Sequence, residues 1–302
     1  MGKKGPGAFH DLESIFTLVE FGDTLECGAG GTGQAETGLR IIPRGPFAGL
    51  FSRRDRAFLP GSPENNLVYR ASELFRSAVS FKKKLDITLI KRVPPGSGLG
   101  GGSSDAAATL LALNFLAGGP LSFDGLLRLG EKLGSDVPFF LYALRPPSGG
   151  GAACGSPAAW VSGRGERVVP IKAPAPLPVL LVFPGFSSNT GEAFTLLDEF
   201  RSGPSPVPSP AKEVLIAALD EDPRRWPYSN DFLELFLKTG KHADRYGSIL
   251  EGLRSSGAVF AGLSGSGSAC FGVFPAGTDM KKTLIPKAEG IIYLQNTFFL
   301  AS

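Results

Sequence analysis

Cysteine is scarce: Cys27, Cys154 and Cys270 are the only three in 302 residues. The number is odd, the spacing is wide and no C-x-x-C pair occurs. That excludes a disulfide framework or a structural zinc site as the organising principle, and predicts thiols in a reducing compartment. Long apolar runs are missing as well. No stretch reaches the roughly 18 residues of a transmembrane helix. The start, Met1 to Gly7, has no apolar h-region, so no signal peptide is expected. These absences predict a cytoplasmic protein that needs no membrane. An excess of charge of one sign is also lacking. The net charge is +3, the pI is about 8.7, and no basic run exceeds Lys82-Lys83-Lys84. Nothing in that pattern asks for nucleic acid.

Glycine and proline, by contrast, are abundant at 41 and 25. Much of the excess sits in Pro146 to Pro157 and Ser202 to Pro210, which read as extended or flexible surface insertions. The rest is ordinary. A hydrophobic share of 42% and a charged share of 20% fit a globular chain with a sizeable core, and the length suits two domains. No internal repeat is visible.

Leu67, Ala71, Leu74, Phe75 and Ala78 share one helical face. Leu85, Ile87 and Leu89 alternate with Asp86 and Thr88, which predicts a strand. A glycine loop follows. Ser103, Ser104 and Asp105 then supply cap-type residues for a helix over Ala106 to Gly118. Further helices are predicted over Phe123 to Leu133, from about Asp136, over Thr190 to Phe200 and over Asp244 to Arg254. Strands are predicted at Ala158 to Val161, Val168 to Pro170, Pro178 to Phe183, Val259 to Leu263, Ala269 to Phe274 and Ile291 to Phe299. The class is α+β. The boundary falls near Lys172 to Pro176, giving domains of 1–173 and 174–302.

The strongest chemical signal is the run Pro94, Pro95, Gly96, Ser97, Gly98, Leu99, Gly100, Gly101, Gly102, Ser103, Ser104. Glycines let a backbone approach a ligand and turn its N–H groups inward, and the helix that follows adds unpaired N–H groups and the positive end of its dipole. The predicted strand before and capped helix after distinguish this run from a linker. It reads as an anion cradle for a nucleotide polyphosphate, with Ser103 and Ser104 able to bond phosphate or Mg²⁺. At Gly101 a branched side chain is expected to obstruct phosphate without disturbing the fold. No G-x-x-x-x-G-K-[ST] is present, so this is not a Walker A loop. Gly96 to Gly101 matches G-x-G-x-x-G, but Asp124, the acid at about the right distance, does not end a strand, so the dinucleotide reading is set aside.

The wording GLGGGSSDAA after Lys91-x-x-Pro94 resembles the phosphate loop of the GHMP kinases, and among them the diphosphocytidyl-methylerythritol kinases. Phe9 to Ser14, Asn66 to Ala71, Leu133 to Phe140, Gly163 to Glu166 and Leu263 to Cys270 resemble further segments of that family in the same order. The resemblance implies an N-terminal domain like the second domain of ribosomal protein S5 and a C-terminal ferredoxin-like domain, with the active site between them. It implies transfer of the γ-phosphate of ATP, with Mg²⁺, to the 2-hydroxyl of a cytidine diphosphate-linked alcohol. Homodimer formation is left open. By pattern alone, Asp136 ahead of Val137-Pro138 is a helix N-cap. The resemblance makes it the carboxylate that accepts or holds the acceptor's proton. It also implies that Phe9, His10 and Phe194, with Thr190 nearby, receive the cytosine ring, Phe9 standing where the family has tyrosine and keeping the π-face.

Two alternatives stand beside this reading. One is another GHMP kinase, such as a homoserine or mevalonate kinase, against which Phe9, His10 and Phe194 argue. The other is a nucleotide-binding protein without catalysis. The family's first strand carries a lysine beside the catalytic carboxylate. This sequence starts after that strand, and Lys3 and Lys4 match residues that follow it. The chain as written is therefore expected to bind ATP and to turn over poorly.

Overall fold

The computed structural model describes residues 11–30, 36–44, 63–146, 156–200, 210–240, 242–280 and 293–298, the last as backbone. The chain divides into two compact units. The first comprises residues up to Pro95 together with Gly100 to Lys172; the second comprises Gly96 to Leu99 together with Ala173 to Ala301. The segments around 147–155 and 201–209, where most of the two Pro/Gly-rich insertions fall, lie outside the described residues.

In the first unit, β4 (Lys84–Lys91) is the central strand of a three-stranded sheet. Its alternation works as expected: Leu85, Ile87 and Leu89 are buried, and the residues between them are more exposed. β2 (Thr24–Gly30) pairs with it antiparallel, with Cys27 opposite Ile87, and β3 (Thr37–Pro43) pairs parallel, with Leu39 opposite Ile87. A second sheet runs β1 (Leu12–Thr17), β5 (Ala158–Gly163), β6 (Arg167–Pro170), all antiparallel. Among the described residues the unit also has the α-helices α1 (Leu67–Val79), α2 (Gly101–Leu116), α3 (Phe123–Leu133) and α4 (Val137–Leu144). Phe75, Leu110, Leu113, Phe139, Leu141 and Val161 belong to its main core.

α2 starts earlier than expected. Its N-cap is Gly100, in the left-handed conformation at φ 66°, and Ser103 to Asp105 lie inside the first turns. Ser104 Oγ bonds back to Gly101 O at 2.8 Å, and Asp105 is turned into the core, so neither caps the helix.

The inward face of β4 ends in a cation. Lys91 is the next residue in the buried alternation and is only 8% exposed. Its ammonium donates to Asp105 Oδ2 on α2 at 2.8 Å and to Asp23 Oδ2 just ahead of β2. The other Asp23 oxygen accepts the backbone N–H groups of Arg92 and Val93, the latter at 2.8 Å. One ammonium between two carboxylates carries a formal charge of minus one away from water. Burial pushes the Asp105 carboxyl up to about 7; the Lys91 charge opposes this and the Asp23 charge adds to it. Burial also pulls on the Lys91 ammonium, but the two carboxylates more than offset it and its pKa rises.

The second unit is built on a four-stranded antiparallel sheet of β7 (Pro178–Phe183), β8 (Phe260–Leu263), β9 (Cys270–Val273) and β10 (Tyr293–Phe298). Its spatial order is β10-β7-β9-β8, that is 4-1-3-2 in chain order, the ferredoxin-like arrangement. Every residue of β7 is buried, as its unbroken apolar sequence predicts for a strand with covered faces. Among the described residues its α-helices are α5 (Thr190–Phe200), α6 (Lys212–Ala218), α7 (Asp231–Thr239) and α8 (Ala243–Ser255). Among the described residues no helix is long and apolar enough to cross a membrane.

The carboxyl of Asp105 gives stability a pH dependence of definite sign. Its folded pKa lies above the ordinary 3.8, so the ionised form is the penalised one. The penalty is absent below about pH 4 and complete above about pH 7, and stability falls as pH rises through that window. Asp105→Asn, the neutral isostere, is expected to flatten this limb in melting curves recorded from about pH 5 to about pH 8. Lys91→Met leaves two carboxylates buried without their cation and is expected to cost about 3–5 kcal/mol in urea titrations. A slope unchanged in Asp105→Asn would show that other groups set it.

Candidate active site

The glycine loop is divided between the units. Its segment Gly96–Leu99 packs in the second unit against the other glycine-rich loop, Ser264 to Ser268, which connects β8 and β9. The contacts are specific. Ser264 Oγ donates to Gly98 O at 2.8 Å, Ser268 N to Gly96 O at 3.1 Å and Ala269 N to Ser97 O at 2.9 Å. Ser188 N also donates to Gly96 O, at 2.9 Å. Gly98 has φ 75°, and a Cβ there would collide with the carbonyl oxygens of Ser264 and Gly267. At this position glycine is required by the closeness of another backbone.

From Gly100 onward the loop belongs to the first unit. With glycine as N-cap, α2 has no side chain over its first turn, and the N–H groups of Gly101, Gly102 and Ser103 have no acceptor within the helix. A Cβ on Gly100 would stand 2.7 Å from the Phe140 ring of α4. One on Gly101 would stand 2.8 Å from Val93 Cγ1 and 3.2 Å from Lys91 Nζ. A valine at 101 would therefore disturb the end of β4 and the ion cluster, contrary to the expectation that the fold would tolerate it. Gly102 has more room, its nearest neighbour being Leu67 Cδ1 at 3.4 Å.

Asp136 stands at the N-terminus of α4 in the first unit and does not cap it. Its backbone is helical, φ −87° and ψ −13°, and its carboxylate makes no capping bond. Ser135 Oγ approaches Oδ1 at 3.4 Å. Burial pushes the carboxyl above the usual carboxylate range, and the Ser135 contact opposes this weakly. The turn Gly163 to Glu166 between β5 and β6 lies alongside: a Cβ on Gly165 would be 3.1 Å from Ser135 Cβ and from Ser135 O. Two segments of the expected order, Leu133–Phe140 and Gly163–Glu166, are thus neighbours.

Phe9 and His10 lie outside the described residues. Thr190 and Phe194 are in the second unit on α5. Thr190 Oγ1 pairs with Ser266 Oγ at 3.0 Å, which ties the start of α5 to the second glycine loop. The Phe194 ring meets Phe232 of α7 edge-on, with centroids 5.0 Å apart, so packing fixes its orientation. Sequence reasoning placed none of Asp23, Lys91, Asp105 or Asn230 in the site: Lys91 entered only as the start of the phosphate-loop pattern, Asp105 only as a cap-type residue, and Asn230, with Asp231, only as a resemblance to a family segment. Lys91 had a signal: a charged residue at the buried phase of an alternating strand.

Two family models match the chain: the GHMP kinases N terminal domain over residues 66–143 and the GHMP kinases C terminal model over residues 217–282. A protein of Solibacter usitatus named 4-diphosphocytidyl-2-C-methyl-D-erythritol kinase is 34% identical over 276 residues, covering 91% of this chain and 76% of its own. A protein of the same name from Pelotomaculum thermopropionicum is 35% identical over 277 residues, covering 90% and 83%. A crystal structure of 4-(cytidine 5'-diphospho)-2C-methyl-D-erythritol kinase superposes with a TM-score of 0.69 at 28% identity, covering 99% of this chain and 94% of that one. The fold and these matches define a small-molecule kinase of α+β class, and the chain belongs to the GHMP kinases, in the family of the 4-diphosphocytidyl-2-C-methyl-D-erythritol kinases.

Gly98 and Gly118 both have positive φ, 75° and 83°, but nothing lies within 4 Å of a Cβ at Gly118. Gly118→Ala is expected to cost only the left-handed penalty, about 1–2 kcal/mol. Gly98→Ala adds a backbone collision and is expected to cost at least about 2 kcal/mol more in denaturant titrations. Equal losses would show that the loops separate without cost.

Proposed function

We propose that this chain transfers the γ-phosphoryl group of ATP to the 2-hydroxyl of 4-diphosphocytidyl-2-C-methyl-D-erythritol, in the cytoplasm. The observation that carries the reading is a relative of that name sharing 34% of its residues across 91% of this chain. The site's chemistry is compatible with it. Phosphoryl transfer needs positioning and charge stabilisation more than covalent chemistry. The open N–H groups at the start of α2 suit the phosphates, as does the glycine run from Pro94 to Ser104. Ser104 Oγ uses its proton on Gly101 O and keeps its lone pairs for a hard cation, so Ser104 would fit Mg²⁺ held together with the nucleotide phosphates. When bound, Mg²⁺ would neutralise charge on the phosphates. Phe194, steadied by Phe232, is assigned to the cytosine ring, as are Phe9 and His10 by the resemblance.

Asp136 is assigned the acceptor's proton. A carboxylate with a raised pKa is the stronger base in its ionised form. Activity is expected to fall as pH drops through that raised value, above the range of an ordinary carboxylate. Asp136→Asn should lower kcat by roughly 10²–10⁴ with both KM values nearly unchanged. Because the carboxylate caps nothing, the melting temperature should hold. Coupled ADP-release kinetics, run with the cytidine-linked alcohol and with other acceptor alcohols, read both effects. A kcat within a few-fold of the parent would reduce Asp136 to a structural residue.

A further inference from the structure

In the second unit one side chain outside the proposed chemistry holds the backbone on both sides of Ser264, whose hydroxyl bonds the nucleotide loop. Asn230 precedes α7. Its Oδ1 accepts from Phe232 N at 2.9 Å and Leu233 N at 3.1 Å. Its Nδ2 donates to Leu263 O at 3.0 Å and Gly265 O at 2.9 Å. A carboxamide has two donors and two acceptor lone pairs, and here all four are engaged. Rotating the amide by half a turn would place its oxygen against two carbonyls, so the side chain has one orientation.

The two carbonyls it holds flank Ser264, whose hydroxyl donates to Gly98 O. Further along the same loop, Ser268 N and Ala269 N hold Gly96 O and Ser97 O. Three successive carbonyls, 96 to 98, are thus drawn toward the loop that Asn230 clamps. In a planar trans peptide the N–H points away from the preceding C=O. Fixing those carbonyls therefore turns the N–H groups of Ser97, Gly98 and Leu99 the other way. No backbone hydrogen bond links these three N–H groups to a described residue.

We infer that Asn230 is a positioning residue for ATP, setting the direction of the Ser97, Gly98 and Leu99 N–H groups through the Ser264 to Ser268 loop. The inference rests on reading Gly96 to Leu99 as part of a nucleotide cradle. It makes Asn230 specific in a way that helix capping does not. Aspartate caps at least as well, and its charge suits a helix N-terminus. It cannot donate, and it would set an anionic oxygen against Leu263 O and Gly265 O.

The test uses the full chain and Asn230→Asp. The expected result is a KM for ATP raised about tenfold, the scale of one net hydrogen bond, with the acceptor's KM within about twofold. The melting temperature should stay near the parent's because the α7 cap is kept. Ser264→Ala should raise the ATP KM as well and add little in the Asn230→Asp background, since both act on one connection. Amide exchange at Ser268 and Ala269 should be faster in Asn230→Asp, a readout independent of ATP. An unchanged ATP KM, equal rises for both substrates, additive effects or unchanged exchange would each overturn the inference. If Asn230→Asp does not fold, Asn230→Ser keeps a cap acceptor without spanning to the two carbonyls and is read in the same way. If the parent protein itself does not bind ATP in calorimetry, the nucleotide reading fails, and the exchange measurement still decides whether Asn230 holds the loop.

Discussion

The Lys91 ammonium, held between Asp23 and Asp105, fixes both ends of the glycine run within the first unit. Asp23 also holds the N–H groups of Arg92 and Val93, so it sets where β4 stops. Asp105 is on α2, so the same cation ties the start of that helix to the end of β4. Gly101 sits directly over Val93 and the ammonium, with no room for a side chain. The entry to the run and its exit are thereby anchored on one charged group. Such a cluster contributes little net stability, because desolvation offsets much of the Coulombic attraction. What it supplies is position. The raised pKa of Asp105 is the corresponding cost: burial strips its carboxylate of water, and the Asp23 charge beside it adds to the penalty that Lys91 opposes.

Glycine in the run answers two different demands. Gly98 faces the backbone of the second glycine loop, where any Cβ would meet carbonyl oxygens. Gly100 and Gly101 face side chains, Phe140 in one case and Val93 with Lys91 in the other. Access for phosphate is a third demand, compatible with both but not needed to explain these three positions. A substitution here reports packing before it reports ligand binding, so Gly102 is the better position at which to probe the nucleotide.

Most of the fold could be read where periodicity was strong. The limits of α3 and β7 fell where the apolar pattern placed them, and β4 declared itself by alternation. β2 and β3 were not anticipated. They carry Gly28, Gly30 and Gly38, end in Pro43, and are only half-buried, so neither propensity nor alternation marks them strongly. α7 was readable and was missed: Asn230 is a cap residue, and Phe232, Leu235 and Phe236 follow at helical spacing. The ion cluster is another matter. Asp23 and Lys91 are 68 residues apart in sequence, and only the pairing of β2 with β4 brings them together. The residue pattern marked the glycine run and the family resemblance named Asp136, but neither gave a means of seeing what holds them.

The two helix N-cap positions, Asp136 and Asn230, show why residue type alone could not assign their roles. Capping requires the N-cap residue to leave the helical region, so that its side-chain oxygen folds back over the N–H groups of the first turn. Asn230 does so, with φ −128° and ψ 118°, and its oxygen is fully engaged. Its amide then has two donors left, and these grip a neighbouring loop. Asp136 has the other geometry, φ −87° and ψ −13°, and its oxygens make no bond to the first-turn N–H groups. Its carboxylate consequently remains partly desolvated, without the capping bonds that would lower its pKa. Sequence supplied an Asx residue before a helix in both places. The backbone conformation of that single residue decides whether the side chain bonds the first-turn N–H groups or leaves them alone.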